Sequence, residues 1–385
     1  MESKHNFFKM KKIFFIVVIV YISNSFFVKA QENNPIITAV PSLTIAPDAR
    51  AGGMGDIGAA TSPDVNSQFW NPAKYVFNES NTGFSLSYTP WLRQLVADID
   101  LAYLAGYYKF NDNSAVSMSM RYFSLGNIDL TDFQGSFMGT AHPNELAVDG
   151  AFSQKLSENL SASVALRLIY SDLSNGMSTE MYPGIAVAAD VATYYRLPIT
   201  LSTGTGNLAF GLNISNIGSK ISYDEFASSN FIPTNLRLGT SFDYPIDEYQ
   251  SVTFSADINK LLVPTPNIAK TANDINYYNN MSALTGIFSS FNDAPDGMKE
   301  EIREIMWSLG AEYAYNKQFF VRAGYFNENQ YKGNRKYFTA GAGFKLNIFQ
   351  LDAGYVISTS QSNPLDQTLR FSLSFDLFGL KNLMK

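Results

Sequence analysis

Val116-Ser117-Met118-Ser119-Met120-Arg121-Tyr122 and Leu369-Arg370-Phe371-Ser372-Leu373-Ser374-Phe375-Asp376-Leu377 alternate apolar and polar side chains residue by residue. Successive side chains of a strand point to opposite faces, so each stretch reads as a strand with one apolar and one polar face. The pattern recurs in segments of roughly ten residues, from Gly83–Tyr88 and Ala97–Lys109 to Gln367–Leu377. About fourteen such segments, an even number, point to an all-β chain closed as a transmembrane antiparallel β-barrel, one face toward lipid and the other toward a polar lumen.

The connections support this independently by alternating in length. Asn111-Asp112-Asn113, Ser157-Glu158, Pro245–Tyr249, Asn316-Lys317 and Asn347 are tight turns. Between them run Leu125–Asn144, Leu173–Pro183, Ser215–Phe231, Asn327–Asn334 and the largest, Lys260–Met306. Short turns belong to the periplasm and long loops to the outside, which puts both termini in the periplasm of a Gram-negative cell. Arg196–Thr205 is read as one longer turn.

Residues 1–30 carry Lys4, Lys9, Lys11 and Lys12, an apolar run over Ile13–Ile22 and Val28-Lys29-Ala30, the layout of a secretory signal peptide. The apolar run is about half what a spanning helix needs. Its removal leaves 23 basic and 33 acidic residues, a formal net charge of −10, which argues against nucleic acid as a partner. Without cysteine the chain has no disulfide, thiolate metal site or cysteine nucleophile. Residues 31–82, rich in Gly, Ala, Pro and Asp, form a periplasmic or plug-like segment; 83–378 form the barrel and 379–385 a periplasmic tail.

Within Lys260–Met306, Met298, Ile302, Ile305 and Met306 fall at helical spacing among Glu300, Glu301, Arg303 and Glu304. A short amphipathic helix is expected, lying as a lid on its own barrel in preference to binding a partner. Trp91, Phe133, Phe137, Met138, Met298 and Ile302 are apolar residues of external loops, where water selects polar ones, and are candidates for partner contact. On the inner face Arg121, Arg167, Arg237, Asp257, Arg322, Asp352, Arg370 and Asp376 are read as structural charge pairs rather than a selectivity device.

Gly53-Met54-Gly55-Asp56-Ile57-Gly58 spells GxGxxG, but no strand leads into it and no βαβ unit follows, so the glycines are read as tight backbone packing and no cofactor is implied. After signal removal His142 is the only histidine. A Ser-His-acid hydrolase would depend on it, and nothing in the spacing of Ser124, Ser136, Asp132 and Glu145 selects a triad; one histidine makes no metal site either.

Ala46-Pro47-Asp48-Ala49-Arg50-Ala51-Gly52-Gly53-Met54-Gly55, Thr61-Ser62-Pro63-Asp64-Val65-Asn66-Ser67 and Trp70-Asn71-Pro72-Ala73-Lys74 lie within Pro41–Val76. This stretch closely resembles the N-terminal segment of the PorV (LptO) family, outer-membrane components of the type IX secretion system of Bacteroidota that look like FadL-type barrels of fourteen strands. The resemblance implies a non-enzymatic protein whose partners are outer-membrane lipid, the translocon barrel, the C-terminal signal domains of cargo and the sortase-containing attachment complex at the surface. Transport of a hydrophobic solute and, from the older name LptO, lipopolysaccharide deacylation are the alternatives.

Overall fold

The computed structural model describes residues 33–93, 96, 98–175, 181–224, 229–266, 278–359 and 365–376. The signal peptide and the 379–385 tail lie outside them. The chain divides into Met1–Asn34 and Pro35–Lys385, and the architecture below belongs to the second unit.

Fourteen antiparallel strands close into one barrel: β1 (Thr82–Pro90), β2 (Asp100–Lys109), β3 (Ser114–Ser124), β6 (Asn144–Lys155), β7 (Leu160–Asp172), β8 (Gly184–Leu201), β9 (Gly204–Gly218), β10 (Asn235–Pro245), β11 (Gln250–Leu261), β12 (Met306–Tyr315), β13 (Phe319–Asn327), β14 (Lys336–Leu346), β15 (Phe349–Ser358) and β16 (Leu369–Asp376). The remaining two, β4 (Ile128–Thr131) and β5 (Phe137–Ala141), pair as a separate hairpin in the 125–144 loop. Closure is made by β1 on β16, from Gly83↔Asp376 to Tyr88↔Phe371, which removes both sheet edges. Outward positions such as Leu86, Met118, Leu166, Leu168 and Val321 are exposed, while their neighbours in sequence are covered from inside. That is the burial expected when lipid covers the outer face.

Every expected strand forms. The expectation for Arg196–Thr205 is corrected: β8 and β9 continue their ladder through Pro198↔Asn207 to Leu201↔Gly204, leaving only a two-residue turn. The ladder accommodates Pro198 near its end. At the tight turn after β12, Asn316 and Lys317 both adopt positive φ, 52° and 51°, the left-handed pair that matches the twist of an antiparallel hairpin.

Residues 35–81 run down the barrel interior. Ala39 N–H donates to the Phe231 carbonyl in a long loop, whereas the Lys109 ammonium donates to the Asn78 carbonyl beside a short turn. Between these ends come a 3-10 turn at Pro41–Thr44, helix α1 (Ala49–Gly52), helix α2 (Ser67–Trp70) and a 3-10 turn at Pro72–Phe77. Within this segment Ala39 therefore sits at the long-loop end and Asn78 at the short-turn end. An even strand count places the two ends of the barrel on one side, but says nothing about a segment that threads the lumen before the first strand.

Candidate functional site

The inner face of the barrel and the 35–81 segment are joined by a buried charge network. Arg50 of α1 meets Glu312 of β12 through two contacts, Nη2 to Oε1 at 2.9 Å and Nε to Oε2 at 3.1 Å, and also holds Asp64 at 2.8 Å. Glu312 in turn accepts from Arg322 at 2.6 Å, and Arg322 donates to Asp352 at 2.7 Å. A second group joins Arg370 to Asp56, which also accepts from the Tyr337 hydroxyl at 2.6 Å. A third holds Arg167 between Asp149 at 3.1 Å and Asp190 at 2.9 Å.

The other inner-face candidates are satisfied differently. Asp257 caps plug backbone, accepting from Gly58 N–H at 2.9 Å and Ala59 N–H at 3.0 Å. Arg121 donates to the Ser42 and Ile45 carbonyls and stacks on Phe69, with its centre 4.8 Å from the ring. Asp376 lies 3.9 Å from Lys345 near the barrel's short-turn end. Glu312, Asp149 and Asp56 were not singled out from sequence. For two of them a signal existed, because Glu312 is directly opposite Arg322 across the Asn316-Lys317 turn and Asp149 opposite Arg167 across the Ser157-Glu158 turn.

The GxGxxG stretch lies where plug backbone touches wall backbone. Two cross-strand glycine pairs face it, Gly310↔Gly324 and Gly341↔Gly354, and a third, Gly211↔Gly239, faces the adjoining Ala59. A Cβ on Gly324 would lie 2.1 Å from the Met54 carbonyl carbon, and one on Gly53 would lie 3.0 Å from the Gly341 Cα. Gly55 turns with φ +80° against Tyr325 backbone. These glycines allow backbone-to-backbone packing that any side chain would prevent.

Asp48 caps α1, accepting from Ala51 N–H at 3.0 Å and from the Trp70 indole at 2.6 Å. Burial, reinforced by Asp64, pushes its carboxyl from 3.8 up to about 6. A folded-state value above the unfolded one means the docked plug binds the extra proton between those limits. Docking is therefore most stable below pH 4 as far as Asp48 is concerned, and this contribution is lost as pH rises through about 6. Asp48→Asn is expected to flatten that part of the profile, as measured by protease resistance of residues 35–81 from pH 4 to pH 7; an unchanged slope would refute the assignment. Lys74, also fully buried, is lowered to about 8 by burial; its ammonium donates to the Gly58 carbonyl at 2.9 Å and the Thr61 hydroxyl at 3.1 Å.

At the long-loop end a cavity of about 420 Å³ opens between the plug and strands β9–β14. Ile36, Leu43, Phe69, Trp70, Met306 and Phe326 supply its apolar wall. Arg237 also lines it, 9% exposed, with its Nε on Asn259 at 2.8 Å and its guanidinium 4.5 Å from the Trp70 ring; among the described residues no carboxylate lies within ion-pair distance of it.

The family described as Type IX secretion system protein PorV matches residues 28–268, more than half of the chain. The chain belongs to the PorV family. No curated protein matches it. Among solved structures, the deltaS2S3 mutant of the monoaromatic hydrocarbon channel TodX is similar at 12% identity, covering 85% of this chain and 98% of that one with a TM-score of 0.51. The Ralstonia pickettii toluene transporter TbuX (11% identity, 86% and 97% coverage, TM-score 0.45) and a Pseudomonas aeruginosa FadL homologue (11%, 89% and 99%, 0.43) are also similar. The first shows the fold alone.

The long loops carry the remaining sequence-predicted candidates. The β4–β5 hairpin leaves Phe133 wholly exposed and Phe137 and Met138 largely so. Trp91, by contrast, packs against two buried clusters, one that includes Leu101 and Phe123 and one that includes Val356 and Leu365. The helix expected near Met298 forms as α4 (Met298–Arg303), following α3 (Ala283–Ser289), but it is turned over. Glu300, Glu301 and Glu304 are buried, whereas Met298 and Ile302 are 65% and 62% exposed. A lid packed through its apolar stripe is thus corrected to one packed through its carboxylates, because two lysines of the barrel rim, Lys260 and Lys332, wait beneath it.

His142 is exposed and its ring meets the Asn127 side-chain oxygen; among the described residues no serine hydroxyl or carboxylate bonds it. The described residues hold no cluster of three or more metal-ligating side chains.

Proposed function

We propose that this outer-membrane barrel receives the C-terminal signal domains of type IX cargo at the translocon barrel and passes them to the surface attachment complex, working by surface contact rather than by conduction. Family membership supports the secretion role. The exposed apolar hairpin carries the contact reading, since Phe133, Phe137 and Met138 lie on the long-loop side with no covering element, as partner surfaces do. The short turns would face the periplasm.

Deleting the gene should trap cargo in the periplasm with its signal uncleaved; normal surface cargo would overturn the proposal. More finely, serine at Phe133, Phe137 and Met138 together should lower surface cargo several-fold while changing barrel stability by no more than about 0.5 kcal/mol, the usual range for exposed positions. Full secretion by that variant would remove the hairpin from the contact surface.

The cavity favours a second reading, passage of a hydrophobic solute, because its wall combines apolar residues with a few polar groups as small-molecule sites do. Solute uptake by vesicles containing the purified barrel would support it; uptake no faster than in empty vesicles would end it. The deacylase alternative has no supporting geometry around His142.

A further inference from the structure

The turned-over helix α4 packs at the rim of the barrel, over Lys260 at the end of β11 and Lys332 of the link between β13 and β14. Along β11, Ser255, Asp257 and Asn259 point inward and are buried, while Phe254 and Ile258 point outward and are exposed. Lys260 shares their outward parity, yet it is 8% exposed because Glu301 and Glu304 cover it at 3.0 Å and 2.5 Å. Lys332 adds Glu300 at 2.5 Å and Glu304 at 2.9 Å, and the Thr265 hydroxyl donates to Glu304 at 2.6 Å. All three carboxylates are thus engaged beneath the helix, by two ammonium groups and one hydroxyl.

The opposite face of α4 carries Met298, Ile302 and, just past its end, Ile305, all exposed. Two residues on, Trp307 points outward beside Ile258, its cross-strand neighbour. Trp307, Tyr325 and Phe338 form a continuous outward row on β12, β13 and β14, with ring centroids 5.5 Å and 4.9 Å apart. Rows of aromatic side chains mark the level at which a barrel leaves the hydrocarbon and meets the interface. The exposed face of α4 thus leads through Ile305 to Trp307 and the outward aromatic row, with Glu300, Glu301 and Glu304 turned away from it and Lys299 exposed at its flank.

We propose that α4 is an interfacial helix of the outer leaflet, with Met298, Ile302 and Ile305 inserted among lipid at the rim of the barrel. Its length is too short for independent membrane binding, but Lys260 and Lys332 hold it in place, so insertion needs no free helix to be ordered. The occupant is lipid rather than protein because the surface extends one that lipid already covers. The inference rests on outer-membrane location and is independent of the cargo role.

The absence of cysteine from the chain makes the test direct. Met298→Cys and Ile302→Cys would each carry a nitroxide in the purified full-length barrel, reconstituted in phosphatidylcholine vesicles. Leu309→Cys serves as the lipid-band reference and Phe133→Cys as the aqueous one. Collision with oxygen relative to a water-soluble nickel chelate should be several-fold higher at residues 298 and 302 than at 133, approaching that at 309. A ratio equal to that at 133 would overturn the proposal and leave the face to a protein partner, and labels shielded from both reagents would overturn it in favour of packing on the chain itself. Each substituted residue is exposed, so the variants fold, and electrophoretic heat-modifiability confirms it.

Discussion

Alanine at Glu312 is expected to destabilise the plugged barrel by about 3–5 kcal/mol, the cost of removing one partner from a buried charge network. Among the described residues Glu312 is the only carboxylate that joins Arg50 of the plug with Arg322 of the wall, and its two oxygens accept from both guanidinium groups at 2.6–3.1 Å. Its loss leaves Arg322 with Asp352 and Arg50 with Asp64, each short of one partner in a space where water has little access. Glu312→Gln should cost less, since the amide oxygen still accepts one bond. Thermal unfolding in detergent and protease resistance of residues 35–81 measure the two consequences, and the plug is expected to loosen at a lower temperature than the barrel unfolds. Resistance as in the parent protein at all temperatures would show that the network does not hold the plug.

Valine at Gly324 is expected to act on the plug alone. Its Cβ would fall 2.1 Å from the Met54 carbonyl carbon and 2.3 Å from the Gly55 nitrogen, contacts with backbone that no rotamer change relieves. Overpacking costs about 1–3 kcal/mol when side chains can shift, and more where backbone must. Valine suits the ladder itself, so the cheaper response is displacement of residues 53–55 from the wall. A cysteine at Ala51, buried in α1, should then react with a maleimide in the Gly324→Val background and resist it in the Gly324 background. Equal protection in both would mean that the wall yields instead.

The alternation that revealed the strands also located the candidate charges on the inner face, because parity is a property of each strand alone. Pairing partners were harder to read. Arg167 and Arg322 lie opposite Asp149 and Glu312 across tight turns, where register follows from the turn. Arg50 and Asp56 come from a segment without periodicity, and their partners Glu312 and Arg370 lie 262 and 314 residues away. Nothing local identifies such contacts. The β4–β5 hairpin escaped notice for another reason: its Gly135 and Gly139 and a bulge between Leu130 and Thr131 break the alternation that marks the barrel strands.

Helix α4 shows the same division. Its spacing of Met298, Ile302 and Ile305 is amphipathic by the ordinary reckoning, which assigns the apolar face to the protein and the charged face to water. On a barrel the solvent at the wall is lipid, and the rule inverts. Sequence alone therefore determined the strands, their parity, the alternation of short and long connections and the family, all of which depend on backbone period and local motif. Which carboxylate meets which arginine, the direction in which residues 35–81 thread the lumen, and which face of α4 looks outward were decided only by closure of the barrel, because each depends on surfaces that exist only after distant strands have come together.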